Sequence, residues 1–191
     1  MRQIILASQS PRRKKLLEQI GLSFTTVPSN IEEKLNPRLK PKGQAEELSL
    51  EKAQTVAIKY PDAIIIAADT IIDSKGEILG KPRNMDDARR MIKKLQGKTH
   101  SVITGFTLLD NKLKKTHTDS VETKVTFRKL GDAEIKTYLK IEKPMDKAGG
   151  YGVQGIGAVL LEHIDGDFYN VVGLPLSKII PSLKKFGVNV L

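Results

Sequence analysis

The sequence predicts an α/β fold built on a mixed sheet. Three observations predict it. Short apolar runs of strand length, "RQIILA" and "DAIIIAADT", alternate with segments of helical periodicity. Two long strand-like stretches, "HSVITGFTLLD" and "TDSVETKVTFRKL", are separated only by the turn "NKLKK", which makes them a hairpin. No internal repeat or low-complexity linker divides the chain into modules.

Each element has a local reason. Residues 2–7 read as a strand, and Pro11 to Ile20 as a helix capped by Ser10 and stopped by Gly21. Proline suits the first helical position because its missing N–H would be unpaired there. "SFTTVPS" reads as extended and leads into the Pro- and Lys-rich loop "EEKLNPRLKPKG". Gln44 to Lys59 is the second helix, and "DAIIIAADT" is a wholly apolar strand up to its acidic end. "TIIDSKGEILG" is a hairpin turning at Ser74, Lys75 and Gly76. Asn84 caps a helix that runs to Leu95 and ends before Gly97. Asp132 to Lys140 is helical after the long hairpin. The tail is expected to form strands "GAVLLEHI" and "FYNVVG" around an Asp-Gly turn, then a helix from Pro175 toward Phe186. A pinch near Lys98 suggests two lobes within one domain spanning residues 1–191.

Composition narrows the function classes. The chain is 39% hydrophobic and 28% charged, the balance of a folded globular protein. No apolar run approaches the roughly 20 residues that span a bilayer, so no membrane association is expected. The opening "MRQIILASQS" is a poor signal peptide. There is no cysteine, which excludes disulfides, thiolate metal sites and cysteine nucleophiles and suits a cytoplasmic location. A net charge of +10 favours anionic partners, although lysine runs such as "DNKLKK" and "SLKKFG" also suit a plain solvated surface. Aromatic residues are 5% with no tryptophan, leaving no stacking platform for single-stranded nucleic acid; no stable nucleic-acid partner is expected.

Three charged residues stand at positions that face inward. At roughly 100° per residue, Leu16, Leu17 and Ile20 define the buried stripe of the first helix, and Arg13 falls within it. Arg12 lies near its edge, whereas Lys14, Lys15 and Glu18 point away. A cation at a helix N-terminus opposes the helix dipole unless an anion lies between them, so Arg13 marks either an anion site or an arginine paired with a distant carboxylate. Lys52 projects into the stripe of Ala45, Leu48, Ala53 and Val56; it must snorkel, pair or reach a cleft. Asp69 ends the run Ile64–Ala68 and is followed by Thr70. At the carboxyl end of such a strand a carboxylate can hold a divalent cation or take a proton from water; the alternative is a turn aspartate bonded to its own backbone. Glu32 and Glu33 can supply a further carboxylate, and Lys81 in "LGKPR" is held extended by the following proline.

Other signals lead nowhere. Gly150, Gly152 and Gly155 match G-x-G-x-x-G, but a strand-like segment is expected to follow where a dinucleotide site needs a helix, so "GGYGVQG" reads as a binding loop. His100, His117 and His163 have no metal-ligand spacing. Neither a G-x-S-x-G elbow nor a P-loop is present.

Taken together, "LASQSPRRKKLL", "EEKL", "SLEKA", "AADTII", "GEILGKPR", "GKTHSVITG" and "DKAGGYGVQGIGAVLLEHIDGDFYNVVGLPL" resemble the Maf family of nucleotide pyrophosphatases nearly end to end. The resemblance implies a cytoplasmic hydrolase that splits a nucleoside triphosphate into monophosphate and pyrophosphate with a divalent cation, Mg²⁺ or Mn²⁺. It implies a long, twisted mixed sheet flanked by helices, with two lobes and a central cleft, similar to inosine triphosphate pyrophosphatases. It also implies a part in cleansing the nucleotide pool, with links to cell-division arrest.

"AGGYGVQG" followed by "YNVVGLPL" is similar to the branch acting on dTTP and UTP rather than on 7-methyl-GTP. Residue by residue, the resemblance makes Asp69 the proton acceptor and Arg12, Thr70 and Gln154 the substrate-discriminating positions. Ser8, Arg13, Glu33, Lys52 and Lys81 match other residues lining the site, with Glu33 and Asp69 as the expected metal ligands. Gln154 offers a donor and an acceptor to the edge of uracil or thymine; Arg12 or Thr70 could read the base instead. Two rival readings are a pyrophosphatase for modified or purine nucleotides and a non-enzymatic nucleotide- or nucleic-acid-binding regulator of septation. A homodimer is expected, closed pairs being the commonest soluble assembly.

Overall fold

The computed structural model describes residues 2–190. Its strands are β1 (Ile4–Leu6), β2 (Thr25–Thr26), β3 (Ile64–Ser74), β4 (Glu77–Leu79), β5 (Thr99–Asp110), β6 (Lys115–Phe127) and β7 (Leu161–Asp165). The helices are α1 (Pro11–Gln19), α2 (Pro41–Lys59), α3 (Met85–Leu95), α4 (Asp132–Glu142), α5 (Phe168–Val172) and α6 (Leu176–Lys185). The strands form one seven-stranded mixed sheet in the order β2-β1-β3-β5-β6-β7, with β4 on β3. β1 is parallel to β2 and β3; the other pairs are antiparallel, as the α/β reading with hairpins requires.

The sheet has a step that positions everything else. β1 pairs with β3 only along Ile64–Ile66 and ends at Leu6, whereas β3 continues to Ser74. The hairpin partner β4 takes the same edge of β3 again from Ile72. Between them, residues 67–71 carry no strand on that side. Period-two alternation decides what each of these residues faces. Odd positions Ile65, Ala67 and Asp69 face α2, where Ala53, Val56 and Ala57 complete an apolar layer. Even positions Ile64, Ile66, Ala68 and Ile72 join the larger core on the opposite face, with Leu16 and Leu17 of α1, Ile92 of α3 and Ile179 of α6.

Helix ends follow their sequence signals. The Ser10 hydroxyl accepts from the Arg13 N–H, and Pro11 opens α1. The Asn84 side chain accepts from the Asp87 N–H at the start of α3. α2 begins at Pro41, three residues before the expected Gln44, because a second proline fits its first turn.

Three expectations need correction. Asp69 does not end its strand; Ile71 and Ile72 carry the apolar face onward, so the strand and the first arm of the hairpin are one element. "FYNVVG" is a helix, α5, because Asp167 caps it through the Asn170 N–H and Gly173 terminates it at φ 117°. In "GAVLLEHI" only the second half is strand; Gly155–Leu160 forms a 3-10 turn.

Two features control how firmly the layers are held. Gly105 lies under α2, where a Cβ would come within 2.3 Å of the Ala45 carbonyl, so only glycine lets the helix sit this close to β5. On the other face, His100 is buried against Phe127 and bonds Tyr151 Oη through Nε2 at 2.6 Å, pinning the glycine-rich loop to β5. Burial holds the imidazole well below its ordinary value, at about 4.

Gly105→Ala is therefore expected to destabilise the protein by about 1–3 kcal/mol in urea denaturation, through displacement of α2. A stability equal to the parent's would show that the helix has slack there. The His100 effect has a definite sign. Its folded-state value lies below the unfolded one, so its contribution to stability is complete above about pH 6.5 and is lost as pH falls toward about 4. From about pH 7.5 to about pH 5 the loss traceable to His100 is about 2 kcal/mol. His100→Gln, whatever its absolute stability, should show a shallower decline over that window; parallel curves would contradict the assignment.

Candidate functional site

The step in the sheet opens into a cleft of about 910 Å³. Ser8, Arg12, Arg13, Glu33, Lys52, Asp69, Thr70, Lys81 and Gln154 all line it. These site residues are thus brought to one place, from the end of β1, α1, the basic loop, α2, β3 and the segments after β4 and α4, whereas Glu32 stays outside, exposed and paired with Lys34.

Two charged groups anchor the α2 side. Lys52 lies 6% exposed between two carboxylates, forming a short ion pair with Asp69 and a 2.7 Å contact from Nζ to Glu33 Oε1. Lys81 approaches the same carboxylate from outside, 2.8 Å from Glu33 Oε2. Burial by itself would raise the Glu33 carboxyl, but the Lys52 and Lys81 ammonium groups outweigh it and hold it at about 2. Glu33 therefore remains ionised at any pH at which the protein is expected to work. Asp69 is also buried, lies within β3 and gives its carboxylate to Lys52, so the alternative of a turn aspartate bonded to its own backbone does not hold.

Arg13 organises the other face of β3. Its Nε donates to the Gly173 carbonyl at 2.7 Å, Nη2 donates to Thr70 Oγ1 at 3.0 Å and Nη1 donates to Ser8 Oγ at 3.4 Å. Burial pushes the guanidinium below its usual range, with the charge of Asp69 acting against that shift. No carboxylate pairs directly with Arg13 among the described residues, so the choice left open by its position resolves toward a cation presented to the cleft. Gly173 suits that corner because its φ of 117° is one that side-chain-bearing residues rarely adopt. The start of α1 lies in the same region, and the positive end of its helix dipole adds to the field there.

The mouth is framed by a second ionic group. Arg12 Nη1 is 2.7 Å from Asp146 Oδ2, and Lys147 contacts Asp146 at 2.7 Å and Glu142 at 3.0 Å. Burial would raise Asp146, but the Lys147 and Arg12 charges hold it at about 2. Gln154 is exposed on the glycine-rich loop, whose Tyr151 and Val153 form buried parts of the wall. Asp146, Lys147, Tyr151 and Gly173 line the site without having been singled out individually. Asp146 and Lys147 carry no helical or strand periodicity, although both fall within the quoted stretch "DKAGGYGVQG".

Chemically, the cleft combines the basic side chains of Arg13, Lys52 and Lys81, the carboxylates of Glu33 and Asp69 and a helix N-terminus. Such a set suits a polyanion that also needs a base or a bound cation beside it. No helix among the described residues is long and apolar enough to cross a membrane.

Comparison with known proteins agrees with this chemistry. The chain is 44% identical over 187 residues to the dTTP/UTP pyrophosphatase of Bacillus velezensis, covering 98% of each chain. It is 45% identical over 190 residues to the dTTP/UTP pyrophosphatase of Bacillus anthracis, covering 100% of this chain and 98% of that one. Among solved structures, the Staphylococcus aureus Ham1 protein superposes with a TM-score of 0.52 at 12% identity, covering 97% of both chains, which establishes a shared fold. The family model described as Maf-like protein matches residues 3–186, and the chain belongs to that family.

Proposed function

We propose that this protein is a nucleoside triphosphate pyrophosphatase that hydrolyses dTTP and UTP to the monophosphate and pyrophosphate, and so cleanses the nucleotide pool. The observation that carries this reading is the convergence of Arg13, Lys52, Lys81 and Asp69 on one cleft from four separate segments. The full-length similarity to relatives bearing that activity in their names supports the choice of substrate.

A triphosphate brings about four negative charges, which the basic side chains and the positive end of the α1 dipole can offset. Arg13 is pre-oriented by Gly173, Thr70 and Ser8, so it meets a phosphate without reorganising. Lys81, exposed and bonded only to Glu33, is free to transfer to phosphate oxygens. Asp69 accepts the proton of the water that attacks the α-phosphorus, and Lys52 holds that carboxylate in place. Pyrophosphate then departs with its charge balanced by the basic side chains.

The residues also fit a divalent cation. Glu33 and Asp69 each direct one carboxylate oxygen to Lys52 Nζ, which brings the two carboxylates side by side, and both are hard oxygen donors. Among the described residues there is no cluster of three or more His, Cys, Asp or Glu that could enclose a metal. Two carboxylates completed by phosphate oxygens and water suit Mg²⁺ or Mn²⁺, which typically keeps such an open shell. When bound there, the ion supplies Lewis-acid stabilisation to the phosphoryl oxygens.

A regulator that only binds nucleotide is less well supported, because a second buried carboxylate beside phosphate-binding cations weakens anion binding, while Glu33 already pairs with Lys52. Asp69→Asn is expected to reduce pyrophosphate release from UTP and dTTP at least about a hundredfold while leaving the urea-denaturation midpoint close to the parent's. Assayed across UTP, dTTP, CTP, GTP and 7-methyl-GTP with Mg²⁺ or Mn²⁺, the parent should favour the first two. Nucleotide binding without pyrophosphate release from any of them would overturn the reading.

A further inference from the structure

Two lysine runs that suit a plain surface when read singly, "DNKLKK" and "SLKKFG", meet in the fold. The first spans the turn between β5 and β6, and the second covers the end of α6. Lys115 joins them: its ammonium donates to the Lys185 carbonyl at 2.5 Å and lies 5.0 Å from the centre of the Phe186 ring. The contact gathers Lys112, Lys114, Lys115, Lys184 and Lys185, all exposed, at one end of the sheet.

Little offsets this charge. Asp110 is buried and already accepts from Arg2 and the Leu113 N–H. Asp62, itself exposed, stands 3.8 Å from Lys112, and among the described residues no carboxylate pairs with the other four lysines. The negative end of the α6 dipole accounts for Lys184 and Lys185, but for none of the three on the hairpin.

The same end carries apolar side chains that the fold does not use. Turns ordinarily take polar residues, yet Leu113 stands at the tip, 61% exposed. The Lys114 N–H donates to the Asn111 carbonyl and holds that tip in shape. The Asn111 side chain donates to the Ala57 carbonyl at 3.3 Å, which draws the end of α2 alongside. There Ile58 is 79% exposed, next to the exposed Lys59. Among the described residues, Ile58 and Leu113 are the two most exposed large apolar side chains.

We propose that this end of the molecule docks on an anionic phospholipid surface, with Leu113 entering the headgroup region and the surrounding lysines meeting lipid phosphates. The charges attract the protein within about a Debye length of the surface, and burial of the apolar tip adds to the hold. A nucleic acid would use the ammonium groups equally well but gives no reason for an apolar tip. The platform also has no arginine for bidentate phosphate contact and no exposed aromatic ring for stacking. Such docking is peripheral and reversible. It needs no spanning helix, so the missing apolar run behind the expectation of no membrane association does not bear on it. Ile64, which pairs with Asp110, lies roughly 17 Å along β3 from Asp69. The platform is therefore separate from the cleft, and the proposal does not depend on the pyrophosphatase reading.

The test is cosedimentation at about 0.1 M salt with vesicles of phosphatidylglycerol and phosphatidylcholine in equal parts. Vesicles of phosphatidylcholine alone and a short DNA duplex serve as the comparisons. The parent should partition onto the mixed vesicles at least about a hundredfold more strongly than onto phosphatidylcholine. Each lysine near an anionic surface is worth roughly fivefold, so Lys114→Gln, Lys184→Gln and Lys185→Gln combined should lower the partition coefficient about a hundredfold. Leu113→Ala keeps every charge and should lower it roughly fivefold. These side chains are exposed, so the urea-denaturation midpoints should stay near the parent's, and the parent's comparison of the two vesicles stands whatever the variants' stability. Equal partitioning onto both vesicles, or none onto either, would overturn the proposal. So would full retention by the triple lysine variant, or binding to the duplex without binding to the mixed vesicles. An unchanged affinity in Leu113→Ala would overturn the entry of the tip into the headgroups.

Discussion

The mismatch in length between β1 and β3 is the constraint on which the rest of the molecule depends. A three-residue strand beside one of eleven leaves residues 67–71 of β3 open on one edge, before β4 takes that edge again. Into that opening come the start of α1, the basic loop and the glycine-rich loop, all reaching residues 67–71 from different sides. Were β1 to continue, its ladder would fill the space that now holds the charged groups. The general preference of ligands for the carboxyl ends of strands holds here, but the strand that ends is β1, not the one bearing the acid.

Because β3 presents both faces at this edge, the cleft receives two different chemistries. Asp69 looks toward α2 and meets ammonium groups; Thr70, one residue on, looks toward α1 and α5 and meets a guanidinium and hydroxyls. Each buried cation is compensated in a way suited to its element. Lys52 shares two carboxylates, since an unpaired ammonium at that depth costs several kcal/mol or loses its proton. Arg13 is held mostly by neutral oxygens, which keep its geometry without cancelling its charge. The first arrangement suits a base and its support, the second a cation waiting for an anion.

Much of this was legible in the sequence because it obeys local periodicity. The 100° step along α1 and α2 identified Arg13 and Lys52 as inward-facing, and an apolar run ending in an acid singled out Asp69. What escaped lacks such a signature. "FYNVVG" has the β-branched and aromatic residues of a strand, yet the Asp167 cap and Gly173 make it helical. A charge inside "AADTII" looks like a strand end, although packing on both flanks continues the strand. Thr104 reads as one more small residue in a buried strand; its partner Asn170 is 66 positions away, so nothing local announces the pair. Gly105 is similar, since its necessity lies in the backbone of a different helix.

Glu33 shows what such an arrangement entails for a site that must stand empty between encounters. Its carboxylate grips one ammonium from the interior and another from the rim, occupying the attractive positions a visiting polyanion will want. It serves as a tethered placeholder, sparing the vacant pocket the self-repulsion of its own cations. On the reading proposed above, arrival of a nucleotide would be an exchange of partners rather than the filling of a bare electrostatic well, and a resident anion returning to its seat would help the product depart.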